Sequence, residues 1–196
     1  SRKTVKGSNL FAFKGERKAN IPLDQLMSVF SDPNERKNWV DRYKDHITFK
    51  KTPLSETYWI RFGLPPLISD RDYVLKTDAK IDKKKGQISV HIKSTTHPKD
   101  PKNCCVRAEV KRTYYQFTAL SATETHMIVE VHTDPKGFLP NWIVNLIQEK
   151  WPSKTLNGLL NRALKVNKSH PKVKKVLDQI FPPTSSESTP SPSPSK

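Results

Sequence analysis

Thr133-Asp134-Pro135-Lys136-Gly137-Phe138-Leu139-Pro140-Asn141-Trp142-Ile143-Val144-Asn145 is the stretch where the chain changes its period. Before it, Met127, Val129 and Val131 alternate with Ile128, Glu130 and His132, the two-residue repeat of a half-buried strand. After it, Leu139, Trp142, Ile143, Leu146 and Ile147 fall at i, i+3, i+4, i+7 and i+8, one face of a helix. Leu156, Leu159, Leu160, Ala163 and Leu164 repeat that spacing, with Pro152 between the two groups expected to kink or restart the helix. Val173, Val176, Leu177, Ile180 and Phe181 show it again among Lys172, Lys174 and Lys175.

Working outward toward the N-terminus, the period-two signal dominates. Ile88, Val90 and Ile92 alternate with polar neighbours, and Asp82-Lys83-Lys84-Lys85-Gly86 reads as a polar hairpin connection. Ile47–Lys51, Thr57–Phe62, Tyr73–Thr77 and Val106–Leu120 are also strand-like, as is the short segment Leu10–Arg17. Ile21–Phe30 carries Leu23, Leu26, Met27 and Phe30 at helical spacing, with Pro22 and Asp24 suited to a first turn and Asp32-Pro33-Asn34 ending it. Glu35–Tyr43 has room for one more helical turn around Trp39. The order strand, helix, many strands, long helix is an α+β layout, an antiparallel sheet covered by a C-terminal helix.

The composition narrows the function classes. With 35 Lys and Arg against 19 Asp and Glu, the net charge of +16 bears on partners, with nucleic acid and anionic membrane surfaces the usual ones. Nucleic acid is disfavoured because the aromatic residues follow core periodicity instead of interleaving with basic residues on one platform. No apolar run approaches the roughly 20 residues of a membrane-spanning helix. The chain starts at Ser1 without Met, so an upstream targeting or anchoring segment stays open. Cys104 and Cys105 are adjacent, which suits free thiols in a reducing compartment better than a disulfide framework, and they have no metal-ligand spacing around them. From Pro182 to Lys196 the chain is nearly all Ser, Pro and Thr, a segment expected to be a disordered tail beyond a domain spanning 1–181.

Four local features, in order over residues 10 to 165, resemble the START (StAR-related lipid-transfer) family. They are Phe13-Lys14-Gly15-Glu16 followed by Arg36-Lys37-Asn38-Trp39; Pro65-Pro66 leading into Ser69-Asp70-Arg71-Asp72-Tyr73-Val74; Val106-Arg107-Ala108-Glu109; and the stretch from Thr133 to Asn145. The resemblance is nearer the phosphatidylcholine-transfer-protein-like members. It implies a helix-grip fold, a curved antiparallel sheet wrapped around a long C-terminal helix and enclosing a lipid cavity. The family's first helix and opening strands are missing or cut short, with Ser1–Asn9 standing as the end of one such strand.

The implied function is non-catalytic: one lipid, a phospholipid such as phosphatidylcholine, is bound in the cavity and transferred between membranes by a cytoplasmic, peripherally membrane-associated monomer. The alternative is sterol or other lipid binding as a ligand-sensing module. No metal, no cofactor other than the lipid and no nucleic-acid partner are expected. In phospholipid-binding relatives the Arg of the Arg-Asp-Tyr motif meets the lipid phosphate, which singles out Arg71, whose guanidinium fork matches a phosphodiester. An ion pair of Arg71 with Asp70 or Asp72 is the competing role. Tyr73 and Tyr58 are candidate headgroup contacts. Strand parity with Val106, Ala108 and Val110 offers Arg112 an inward position as a second polar anchor, but a bulge would reverse it, and a solvated edge position is the expected one. Sterol-binding relatives carry a buried charged pair, and Thr77 stands where a basic residue would follow the Arg-Asp-Tyr strand, which tilts the reading toward phospholipid. The resemblance places a gate at Leu139, Trp142, Ile143 and Leu146 with Pro65 and Leu67, and the basic residues Lys136, Lys150, Lys165 and Lys172 are expected to dock on anionic membranes. The histidines form no triad or metal pattern, and no nucleophile–base pair stands out.

Overall fold

Two-residue alternation builds a single sheet. Its strands are β1 (Arg2–Thr4), β2 (Phe11–Ala19), β3 (Tyr43–Lys51), β4 (Ser55–Phe62), β5 (Arg71–Asp82), β6 (Gln87–Ser94), β7 (Val106–Arg107), β8 (Glu109–Ala119) and β9 (Thr125–Asp134). The helices are α1 (Leu23–Phe30), α2 (Arg36–Trp39), α3 (Asn141–Val166) and α4 (Pro171–Ile180). This computed structural model describes residues 1–4, 11–101, 104–139 and 141–182, and side chains outside 2–4, 11 and 141–148. The expected tail therefore lies outside the described residues from 183 onward.

The strand order is β1-β2-β9-β8-β6-β5-β4-β3, paired antiparallel throughout, and β7 alone pairs in parallel with β5. The inner face follows the sequence alternation: Val74 and Asp72 turn away from it, while Tyr73, Leu75, Thr77, Ala79 and Ile81 line the space beneath. β5 extends past the expected Tyr73–Thr77 because that alternation persists to Ile81. The strand expected over Val106–Leu120 is two strands. Val106 and Arg107 pair with Arg71 and Asp72 of β5, whereas β8 pairs with β6 and β9.

Helix α3 runs from 141 to 166 with Pro152 inside it, so the proline does not divide it into two helices. Pro152 packs against β2: a Cβ on Gly15 would lie 2.9 Å from the Pro152 Cβ, so the glycine lets helix and strand close together. Phe117, Met127, Val129, Leu156 and Leu159 form the buried centre between α3 and the sheet. Hydrogen bonds also tie α3 to the N-terminal part of the chain. Gln25 Nε2 donates to the Ala163 carbonyl at 3.0 Å, and Arg162 Nε donates to Glu35 at 2.6 Å.

Arg162, through that hydrogen bond, holds the Glu35 carboxyl below its ordinary value. A depressed acid stabilises the fold above its unfolded value of about 4.3 and loses that contribution as pH falls through the lower folded value. Urea midpoints at pH 7 and pH 3 should therefore differ less in Glu35→Gln than in the parent chain.

Helix α4 closes the layer at one end. Val173 and Leu177 are buried in the main core, the His170 N–H donates to the Asp24 carbonyl at 3.0 Å, and Ile180 lies beside Gly86 of the β5–β6 hairpin. Cys104 and Cys105, expected as free thiols, are joined as a vicinal disulfide in the loop before β7.

Candidate functional site

Between the inner face of β4, β5, β6 and β8 and the helices lies a cavity of about 620 Å³. Its walls are mostly apolar: Tyr58, Ile60, Phe62, Leu75, Val90, Ile92 and Val110 from the sheet, Met27 and Phe30 from α1, Leu139 and Trp151 from the α3 side. Such a lining, with a few convergent polar groups, is the usual form of a site for a largely apolar small molecule.

The main polar group is a salt bridge that composition alone does not reveal. Arg36 on α2 and Glu56 on β4 both line the cavity and are both 8% exposed. Arg36 Nη1 donates to Glu56 Oε1 at 3.1 Å, and its Nη2 donates to Glu56 Oε2. Thr48 donates to Glu56 Oε1 at 2.8 Å, and the guanidinium lies 4.0 Å from the centre of the Tyr58 ring. Burial works against the Arg36 charge, but Tyr58 and Glu56 more than offset it and raise its pKa. The pair is neutral as a unit, so it offers hydrogen bonds to a ligand without net charge. Glu56 stands one residue before the expected strand Thr57–Phe62, on the parity of Tyr58, Ile60 and Phe62. An acid in phase with an apolar face was the signal for it. Glu56 also faces Thr77 in register, so a charged pair is present next to the position where the sequence lacks a base.

Arg71 reaches the opposite end of the cavity. It is buried, and its Nε, Nη1 and Nη2 donate to the carbonyls of Pro135 (2.7 Å), Ser69 (2.5 Å) and Lys136 (3.0 Å). It is bound to neither Asp70 nor Asp72. Asp70 lies 3.8 Å from Arg61, and Asp72 accepts from the Trp59 indole (2.6 Å) and from Arg107 (2.8 Å) on the outer face. Arg71 thus ties the loop before β5 to the loop before α3. Arg71→Met should lower stability by about 1–3 kcal/mol and raise hydrogen exchange in residues 64–69 and 134–139, with bound lipid retained.

Tyr58 and Tyr73 both line the cavity, and burial pushes both phenols up. Arg112 stands solvated, the position expected for it, and not inward as a headgroup anchor. Val110 pairs with Thr133 but Arg112 pairs with His132, so Lys111 is an extra residue that flips the parity and leaves Arg112 exposed, near the Tyr114 ring. Among the gate residues, Leu139 lines the cavity, Pro65 is half-buried, and Leu67 is fully exposed at a positive φ of 72°. Phe138 is 93% exposed beside them. The side chains of Trp142, Ile143 and Leu146 lie outside the described residues. Of the docking lysines, Lys136 is paired with Asp134 (2.5 Å) and Glu109 (3.4 Å), Lys150 and Lys165 are exposed, and Lys172 is exposed at the cavity edge.

The START domain family profile matches residues 1–166. The chain belongs to the START domain family. Its START domain superposes on human STARD10 with a TM-score of 0.74 at 21% identity, covering 92% of this chain and 73% of that one. Human StAR-related lipid transfer protein 5 gives 0.72 at 19% identity, covering 85% and 88%. The Zhui aromatase/cyclase of a Streptomyces species gives 0.56 at 12% identity, covering 80% and 95%. These likenesses establish the α+β START fold, the open antiparallel sheet with C-terminal helices. No curated protein matches the chain in sequence. START domains are lipid-binding and transfer proteins and are generally non-enzymatic. Among the described residues, no helix is long and apolar enough to cross a membrane, and no cluster of His, Cys, Asp or Glu is placed to hold a metal ion.

Proposed function

We propose that this START domain binds one lipid in its cavity and carries it between membranes without changing it chemically. The observation that carries this reading is the mostly apolar cavity of about 620 Å³ with the Arg36–Glu56 pair inside it. An acyl chain exposed to water costs about 0.8 kcal/mol per CH₂, and such a sheath removes most of that cost in transit.

For the ligand, the polar groups of the cavity favour a lipid with a neutral hydroxyl head, a sterol among them, over a phospholipid. The phospholipid expectation rested on Arg71 and Thr77. The three nitrogens of Arg71 are already engaged by backbone carbonyls, and a charged pair stands beside Thr77. A hydroxyl is able to accept from Arg36 and donate to Glu56 at once.

Leu67 and Phe138, exposed on the two loops that Arg71 joins, are suited to enter a membrane as the gate opens. Native mass spectrometry of the purified chain, paired with a vesicle-to-vesicle transfer assay, tests the whole reading. A neutral lipid at one per chain and accelerated transfer are expected. A co-purified phospholipid overturns the ligand class, and neither bound lipid nor transfer overturns the carrier.

A further inference from the structure

The cavity has a second end. Strand β5 begins at Arg71, beside the gate loops, and ends at Asp82. Twelve residues at about 3.3 Å each place the two ends some ~36 Å apart. At the far end, Leu54 in the β3–β4 turn and Ile81 near the end of β5 line the cavity and are nevertheless 48% and 42% exposed. They are neighbours, because the Ala79 N–H donates to the Leu54 carbonyl at 2.7 Å. The first turn of α4 completes this rim: His170, Pro171, Lys172 and Val173 also line the cavity. Helix α4 lies outside the 1–166 span that matches the family.

The charge at this end is positive in excess: Asp82 is paired with Lys85 and Asp178 with Lys174, and further lysines are left over. Lys83 and Lys84 sit exposed in the β5–β6 hairpin, which touches α4 where Gly86 meets Ile180. Lys172 and Lys175 are exposed on α4. Among the described residues none of these four has an acid within salt-bridge distance, whereas Lys136 at the gate end is neutralised by two. Unpaired lysines around exposed apolar side chains are complementary to an anionic lipid surface: each cation gains from the surface potential while the apolar groups enter the interface. The gate end, with Leu67 and Phe138 at its tips, has no such excess of free lysines in its loops.

We propose that the end of the cavity framed by the β3–β4 turn, the β5–β6 hairpin and the first turn of α4 is a second mouth that docks on an anionic membrane surface. This inference rests on the lipid-carrier reading for what passes through the mouth, but the docking is measurable by itself. Two ends of different chemistry let the domain discriminate between membranes, with the apolar gate indifferent to lipid charge and the basic mouth selective for it.

The test uses the full chain with vesicles of phosphatidylcholine alone or with phosphatidylserine added, in sedimentation assays at low and high salt. Lys83→Glu/Lys84→Glu/Lys175→Glu is expected to weaken binding to phosphatidylserine vesicles at least ~10-fold and to remove its salt dependence. Binding to neutral vesicles and the lipid found by native mass spectrometry should stay as in the parent chain. Leu67→Ser/Phe138→Ser is expected to weaken binding to both vesicle types equally. Insertion at the mouth is read directly from Leu54→Cys, carrying a polarity-sensitive fluorophore in a Cys104→Ser/Cys105→Ser background, with a blue shift on phosphatidylserine vesicles expected. Unchanged binding of the triple variant, or no shift at position 54 when the protein is vesicle-bound, overturns the proposal. A chain that docks through these lysines yet never holds lipid leaves the docking standing and defeats the carrier reading instead.

Discussion

Glu56→Ala is expected to destabilise the domain by about 3–5 kcal/mol, the cost of leaving a buried charge without its partner. Arg36 remains in place, 8% exposed, over the Tyr58 ring and facing apolar walls. Thr48 also loses its acceptor. The effect comes from the uncompensated guanidinium rather than from the value of the pair itself, and a double variant separates the two. Arg36→Met with Glu56→Leu removes both charges at similar volume and should recover most of the stability, since buried ion pairs are often replaced by packed apolar groups at little cost. Urea denaturation of the three proteins reads this directly. If the pair anchors a hydroxyl, the double variant also folds without retaining the neutral lipid. A double variant as unstable as Glu56→Ala shows that packing around Arg36, and not its charge, holds α2 to β4.

Gly158→Ala is expected to cost about 3 kcal/mol or more, although the same change in an exposed helix interior stabilises by about 1 kcal/mol. A Cβ built at Gly158 runs into the backbone carbonyl oxygen of Trp39. The obstacle is main chain, so no rotamer change relieves it. Either α3 or the end of α2 has to move, and α3 is fixed through Leu156, Leu159 and Leu160, all buried in the core. The unfolding midpoint of Gly158→Ala should fall well below that of the parent chain. A midpoint at or above the parent's shows that α2 is free to withdraw.

Much of the fold was legible from periodicity. The inner face of the sheet is read by taking every second residue, Ile88, Val90 and Ile92 or Met127, Val129 and Val131, and the buried stripe of α3 by taking Leu156, Leu159, Leu160 and Ala163. These readings hold because burial of an apolar face is a local demand repeated along the chain. They fail where one residue breaks phase. Lys111 inserts into β8 and turns Arg112 outward, and no pattern of apolar residues marks which side of an insertion is the bulge. They fail again at Val106–Arg107, which leaves β8 to pair with β5 because Arg107 is drawn to the buried carboxylates of Asp72 and Asp100.

The site was less legible than the fold. Arg71 was conspicuous in its motif, yet its donors are taken by Ser69, Pro135 and Lys136, the last two more than sixty residues away. Arg36 and Glu56 lie 20 positions apart, and although Glu56 falls in phase with an apolar strand face, nothing along the chain marks Arg36 as its partner.

From the stretch between Thr133 and Asn145 outward, the sequence by itself determined the class of the fold, the order of its elements and their apolar faces, because side-chain alternation and helical spacing are properties of the covalent chain. Only the tertiary structure decided which charges are buried, which arginine is spent on the backbone and which end of the cavity is basic. Those outcomes depend on distances between segments remote in sequence, and the electrostatic cost of a group is set by what folds around it rather than by its neighbours along the chain.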